Sequence, residues 1–525
     1  MDPRVASSLA HGLDVLDALG DAGMALSNTE LSRRTGLSKA TISRLTLALL
    51  SRGLLDDSGP QRGFRLGLGA LSLGYPLLAR WGLRQLARPA MVRFAETWGA
   101  SVSLGLRDRH RMIYVETVRG SDPAEFNPEV GARLPVAATA MGRAWLANAS
   151  TEDLQDLRLR LSGRPGFDPA QFDALTQASA SQLQRQGFCI SAGEWLSDVH
   201  ALATPLDIEV LGQRLVLNLG LPRSRCDAHS FPVAPGTDLG RLARHIEHCW
   251  REQRASQSPP PQVSSPPVAS ARPRPRHPSA QTLSAGLDLL KLFEPGQWDL
   301  GNREIAHRLG LSPQTVVRLT HTLCERGLLL RQGTPVRYQL GWAALAPTQA
   351  LLNDLRLRRD ARVAMLALSK RLGAAVSLGL EHRASMVYVE TVWQTDERQR
   401  PPDIGAPMPL LRTAMGRAWL GQASPAQRAQ ALNRLRLHQP EEFSQYHGTA
   451  QQAIEFYQAN GWCGSHDFQA DITALATPVK APSEGRVYVL NAGLLRSRPL
   501  KESRLRGLAE ALCETARSLE DACQR

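Results

Sequence analysis

Cysteine is scarce and unpaired here: seven residues in a chain of 525, an odd number, with no CxxC pair among them. That composition excludes both a disulfide framework and a zinc ribbon. No run of about 20 apolar residues exists to span a bilayer, and the opening MDPRVASSLAHGLDVLDALG lacks the apolar core of a secretion signal. A cytoplasmic protein is therefore expected. Acidic residues are outnumbered, 49 against 62 Lys and Arg, leaving a net charge of +13 and a pI near 9.9. Such a balance suits a polyanionic partner. A catalytic set is missing as well: Glu194 and Asp198 are paired acids without a nucleophile, a partner histidine or a phosphate-binding glycine loop. Glu116 and Glu390, in YVETV, fall on alternating strands where a solvated face accounts for them. His245, His248 and Cys249 have helical spacing suited to a metal, but the corresponding later positions are Ser518, Asp521 and Ala522. No metal, cofactor or enzymatic activity is expected.

What the chain does contain is a stretch made twice. Leu31 to Leu55, LSRRTGLSKATISRLTLALLSRGLL, reads as two short helices about a turn at Gly36, with Ser38 as N-cap of the second. Ile42, Leu45 and Leu49 share its inward face. Ala40, Ser43, Arg44 and Leu47 lie opposite, an arrangement that suits reading of a DNA major groove. LLDDSGPQRGFRLG then alternates across a Gly/Pro turn as a wing. Leu9 returns as Leu283, an offset of 274, and at that offset Gly36, Ser38, Arg44 and Gly53 return as Gly310, Ser312, Arg318 and Gly327. In the second copy Pro313 takes the first helical position, Val316, Leu319 and Leu323 face inward, and the outward face becomes Gln314, Val317, Arg318 and His321. The DNA-contact candidates are Ser38, Lys39, Ala40, Thr41, Ser43, Arg44 and Leu47, with Arg62 and Arg65 from the wing. Their counterparts are Ser312, Gln314, Thr315, Val317, Arg318 and His321, with Arg337.

The pattern organises the chain into a winged helix-turn-helix over 1–70, a linking helix and mixed domain over 71–250, and a linker over 251–279. A second winged helix follows over 280–344 and a second linking helix and mixed domain over 345–525. The linker, Pro- and Ser-rich with Arg272, Arg274 and Arg276, reads as disordered and semi-rigid. Each mixed domain shows a strand hairpin (SVSLGLRDRHRMIYVETV), a turn entering a helix (GARLPVAATAMGRAWLA), a polar helical stretch over 151–185, two more strands, and a last helix ending near Trp250. This is an α+β class with an antiparallel sheet. The offset becomes 273 by Ala201 to Ala474. A period this long marks a duplicated two-domain unit and not a solenoid.

With its winged helix ending in an RLG strand, its linking helix, its GxRLPxxxTAxGRAxLA segment, its late Gly-aromatic-Cys strand and its A-x-P strand, each half resembles the IclR family of bacterial transcriptional regulators. The resemblance implies operator DNA as partner, a GAF-like effector-binding domain, and association through dimers or tetramers, so that a homodimer of the tandem chain stays open. It also implies a ligand pocket at Thr139, Ala140, Met141, Ser191, Ala201, Asn218 and Gly220. The second copy would use Thr413, Ala414, Met415, Ala474, Asn491 and Gly493, with Ser465 near a one-residue deletion. A threonine-capped helix start offers free N–H groups to a carboxylate. Ser191 and Ala201 stand where keto-acid-binding members carry an acid and a cysteine, and Met141 and Met415 replace a small residue, so an aromatic or other larger carboxylic acid is the expected effector. Two other classes stay compatible with the residues: a metabolite-converting enzyme, and an architectural DNA binder without effector.

Overall fold

The computed structural model describes residues 5–59, 62–79, 82–119, 129–225, 233–256, 278–295, 297–393, 403–469, 471–495 and 502–524. Residues 257–277, and with them Arg272, Arg274 and Arg276 of the expected linker, lie outside the described residues. In the first half, α1 (Ser7–Ala22), α2 (Asn28–Thr35), α3 (Lys39–Ser51), β1 (Leu55–Asp57) and β2 (Phe64–Leu66) make the head. The linking helices α4 (Leu71–Ala79) and α5 (Gly82–Trp98) lead into β3 (Ser101–Asp108), β4 (Arg111–Val118), β5 (Arg133–Pro135), α6 (Ala140–Asn148), α7 (Thr151–Leu161) and α8 (Pro169–Gln186). β6 (Cys189–Ala192), β7 (Val199–Val210), β8 (Gln213–Pro222) and α9 (Val233–Ser256) complete it, so the last helix runs past the expected end at Trp250.

The second half repeats this plan. Its head is α10 (Pro278–Leu290), β9 (Leu300–Gly301), α11 (Asn302–Leu309), α12 (Pro313–Glu325), β10 (Leu329–Gln332) and β11 (Arg337–Leu340), followed by α13 (Leu345–Asp354) and α14 (Arg356–Leu372). The sensory part is β12 (Ala375–His382), β13 (Ser385–Val392), β14 (Pro407–Pro409), α15 (Ala414–Gln422), α16 (Pro425–His438), α17 (Pro440–Asn460), β15 (Cys463–Ser465), β16 (Ile472–Ala481), β17 (Arg486–Leu495) and α18 (Glu502–Gln524). Two six-stranded antiparallel sheets result, ordered β5-β4-β3-β8-β7-β6 and β14-β13-β12-β17-β16-β15. None of the described helices is long and apolar enough to cross a membrane.

Contacts divide the chain into two compact units, Met1–Asp21, Asn28–Ala48 and Pro76–Gln349 in one, Ala22–Ser27, Leu49–Tyr75 and Ala350–Arg525 in the other. Inside the first unit, α1 and α10 meet reciprocally. A Cβ at Gly12 would collide with the Leu283 side chain, and a Cβ at Gly286 with that of Leu9. Each glycine makes room for the other helix's leucine, the self-complementary pattern of a two-fold contact. The Ala6 N–H donates to Thr322 Oγ1 at 2.8 Å and Arg326 pairs with Asp14 at 2.7 Å, tying the two heads together further.

In the same unit the concave face of the first sheet packs on α6. Met112, Tyr114, Val136, Met141, Ala144 and Trp145 are buried between them. In the second unit Met386, Tyr388, Leu410, Met415, Ala418 and Trp419 form the equivalent core. A bulge at Gly105 in β3 lets the Met141 sulfur lie where a Cβ would otherwise stand, and Gly379 does the same for Met415.

Candidate DNA interface and ligand cleft

The turn between α2 and α3 rests on Gly36, whose φ of +71° belongs to the left-handed region. Ser38 Oγ then accepts the Thr41 N–H at 3.3 Å and starts α3, while Ser312 Oγ accepts the Thr315 N–H at 3.2 Å and starts α12. Ile42, Leu45 and Leu49 are buried, as are Val316, Leu319 and Leu323. The opposite faces are open to solvent. Lys39, Ala40 and Arg44 are exposed with Leu47 66% accessible, and in the second head Gln314 and Arg318 are exposed with Val317 46% accessible. Surface apolar groups of that size on a helix flanked by an arginine suit thymine methyls and guanine edges.

Several candidates are engaged inside the protein. Asn28 Nδ2 donates to Ser43 Oγ at 3.3 Å. Arg44 Nη2 reaches Thr41 Oγ1 at 3.3 Å, and Arg318 Nη2 reaches the Val5 carbonyl at 3.4 Å. In the wings, Arg62 is exposed. Arg65 instead donates to the Glu484 carbonyl at 3.4 Å, and Arg337 pairs with Asp299 at 2.7 Å and Glu304 at 3.3 Å. Those two guanidiniums thus also make contacts within the protein.

The first sensory sheet and α6 enclose a cleft with about 350 Å³ of free space including its mouth. Thr139, Ala140, Met141, Ser191, Ala201, Asn218 and Gly220 all line it, so the structure brings together every first-half candidate. Thr139 Oγ1 accepts the Gly142 N–H at 3.1 Å, which aligns the first turn of α6 towards the cavity. Ser191 Oγ donates to the Ala138 carbonyl at 2.9 Å. Sequence reasoning missed five further walls: Tyr114, Leu134 and Val199 from the sheet, and Trp195 and Leu196 from the loop between β6 and β7. Burial pushes the Tyr114 hydroxyl well above its ordinary range. This loop is fastened by Glu194, which pairs with Arg143 at 2.9 Å; burial raises its carboxyl, but hydrogen bonds at its own backbone, Ser191 and Arg143 hold it net below the usual carboxylate value. Glu194 thus fastens the loop to α6.

The second constellation is built alike. Thr413 caps Gly416 at 3.1 Å, Asn491 faces Ala476, Gly493 faces Ala474, and Ser465 pairs with Ala474 as Ser191 does with Ala201. Ser465 Oγ donates to the Arg412 carbonyl at 2.5 Å, so the deletion falls just after it. Cys189 and Cys463 sit in the matched strands β6 and β15, where burial pushes both thiols up to about 12. At neutral pH they are protonated and poor nucleophiles.

Glu116 and Glu390 correct the expectation of a solvated face. Only 1% and 3% accessible, they are gripped by arginines of the linking helices. Arg84 and Arg88 reach Glu116 at 2.7 and 2.6 Å, and Arg358 and Arg362 reach Glu390 at 2.8 and 2.9 Å. The signal was present as two arginines at i and i+4 in both copies. The matched hairpin tips carry Arg109 and Arg383, both with positive φ. In the second unit Arg383 donates to the Ser51 carbonyl at the end of α3, placing a cation at that helix's negative pole. In the first unit Arg109 lies against Gly327, just past the end of α12. Among the described residues no group of three His, Cys, Asp or Glu is placed to hold a metal ion.

Paired winged heads, linking helices and a cleft-bearing antiparallel domain define the class of ligand-responsive transcriptional regulators. The comparisons narrow it. The IclR helix-turn-helix domain matches residues 8–58 and 282–333, and the C-terminal domain of bacterial IclR regulators matches 76–224 and 349–521. The chain belongs to the IclR family, as two tandem copies of its unit. The regulator TsaQ1/TsaQ2 of Comamonas testosteroni is 28% identical over 264 residues, covering 48% of this chain and 90% of that protein. XynR of Escherichia coli (strain K12) is 29% identical over 210 residues, covering 38% and 81%. A crystal structure of an IclR family regulator from Brucella abortus, 31% identical, covers 46% of this chain and 92% of that one with a TM-score of 0.42.

Proposed function

We propose that this regulator is a covalent pseudo-dimer whose two heads read two unequal half-sites of one operator, under control of a small aromatic carboxylic acid. The observation that carries the reading is the reciprocal packing of Gly12 on Leu283 and Gly286 on Leu9, with α3 and α12 each keeping an arginine-bearing face exposed. Arg44 and Arg318 are the shared base readers. Leu47 and Val317 contribute apolar contacts at different helical positions, so the preferred base steps differ between the heads.

In the cleft, an aromatic ring suits the walls of Tyr114, Leu134, Met141 and Trp195. Its carboxylate would sit at the α6 N-terminus, where the Ala140 and Met141 N–H groups precede the residue that Thr139 caps. Ligand entry shifts the hairpin and the linking helix together, since Glu116 of β4 is locked to Arg84 and Arg88 of α5. This favours one orientation of the heads.

Footprinting and gel shifts test the reading. The native chain should protect two non-identical half-sites. Arg44→Ala should lose one and Arg318→Ala the other, each costing about 1–3 kcal/mol of specific binding. Unchanged affinity in both variants would remove the assignment of α3 and α12 as reading helices.

A further inference from the structure

The residues that line the first cleft recur almost unchanged in the second half, but the loop beside them does not. Of the residues lining the first cleft, only Leu134, Trp195, Leu196 and Val199 change in the second copy, to Met408, Phe468, Gln469 and Ile472. Tyr388, Thr413, Met415, Ser465 and Asn491 repeat Tyr114, Thr139, Met141, Ser191 and Asn218, at matching places in the sheet and at the matching helix start. The ligand chemistry that suits one cleft therefore suits the other.

The lids are fastened differently. Arg143–Glu194 in the first has side chains 19% and 43% accessible, whereas the equivalent Arg417–Asp467 pair, 2.5 Å long, is 5% and 25% accessible. The second copy adds a further fastening. Arg412 replaces Ala138, donates to the Asp467 carbonyl at 3.1 Å, and lays its guanidinium 5.0 Å over the Tyr446 ring and 5.7 Å over the Phe468 ring. Tyr446 belongs to α17 and Phe468 to the lid, so one side chain joins the lid to the helical layer beside the cleft. Glu442, whose carboxyl is raised by burial and pulled back by Arg412, stands near the same cation.

We infer that the chain binds the same small aromatic acid at two non-equivalent sites, and that Arg412 is a positioning residue that clamps the second lid, making the second site slow to fill and slow to empty. The inference rests on the sensory reading above. It gives one chain a fast response and a persistent one to a single ligand.

The lids differ in a usable way: Trp195 reports on the first, and the pair of changes W195F and F468W moves the reporter to the second. Stopped-flow fluorescence of the full chain with 4-hydroxybenzoate, and release by dilution, should show a fast phase with the first reporter and a slow phase with the second. Arg412→Ala should accelerate the second-site release on the order of tenfold, the scale of a partly desolvated cation–ring contact. Ala138→Arg should slow the first, because Phe172 and Trp195 are the sequence counterparts of Tyr446 and Phe468. Equal rates at the two sites in the native chain, or rates untouched by both substitutions, would overturn the clamp and leave the sensory reading intact. Calorimetry that detects no binding of 4-hydroxybenzoate at either site would overturn both.

Discussion

The sensory walls and the reading faces of the two halves have diverged at opposite rates. Thr139, Met141, Ser191 and Asn218 recur unchanged as Thr413, Met415, Ser465 and Asn491, whereas Ala40, Ser43 and Leu47 have become Gln314, Val317 and His321. A duplicated chain whose heads face one asymmetric operator gains from different reading surfaces. It gains nothing from different ligands unless it must integrate two signals. The comparison therefore points to one input and two DNA half-sites, and it can be broken at several depths.

The deepest is the buried carboxylate under each linking helix. Both halves keep it, so they should respond equally. Glu116→Gln and Glu390→Gln each leave two guanidiniums buried without their counter-charge, a loss of about 3–5 kcal/mol. Denaturation followed separately in each half, through a tryptophan reporter, should show a loss of similar size in both. A change below about 1 kcal/mol in one half alone would mean that the linking helix is held there by something else.

Next in size are the caps at the cleft. Thr139→Ala and Thr413→Ala remove the acceptor for the Gly142 and Gly416 N–H groups, which costs about 1 kcal/mol of stability each. Ligand affinity should fall in both sites by a similar factor, because the cap orients the same helix start. If calorimetry found only one site weakened, the two clefts would be shown to bind their ligands in different poses.

How much of this was legible beforehand follows the range of the interactions. The reading helices were visible because three- and four-residue spacing of Ile42, Leu45 and Leu49 is a local property, and the cap at Ser38 is local too. The cleft floor was visible through a family resemblance carried by TAMGRA. Tyr114 was not, since β4 is buried on both faces and shows no alternation to say which residues face the ligand, and Leu134 was not, since β5 has only three residues. Trp195 and Leu196 sit in a covering loop without periodicity. Glu116 was misread because its partners come from a helix 32 and 28 residues earlier, and a lone acid on a strand carries no sign of them. The internal contacts of Arg65 and Arg337 were hidden for the same reason: their partners Glu484, Asp299 and Glu304 are distant in sequence.

The smallest expected difference separates the halves by pH. His110, at the first hairpin tip, is lowered to about 4, mostly by burial and then by the charges of Arg164, Arg111, Arg109 and Arg133. Its counterpart in the second half is Ala384. A histidine depressed in the folded state favours its neutral form there, so the unfolded chain binds the proton more readily. The stability it preserves is complete above the ordinary histidine value near 6.5 and drains away as pH falls towards about 4. The ring is half exposed and screened, which limits the effect to less than about 1 kcal/mol. Thermal unfolding of the first half should therefore weaken relative to the second between those pH values, and His110→Ala should abolish the difference. A difference that persists in that variant would assign it to other groups of the first half and leave the hairpin tip indifferent to protons.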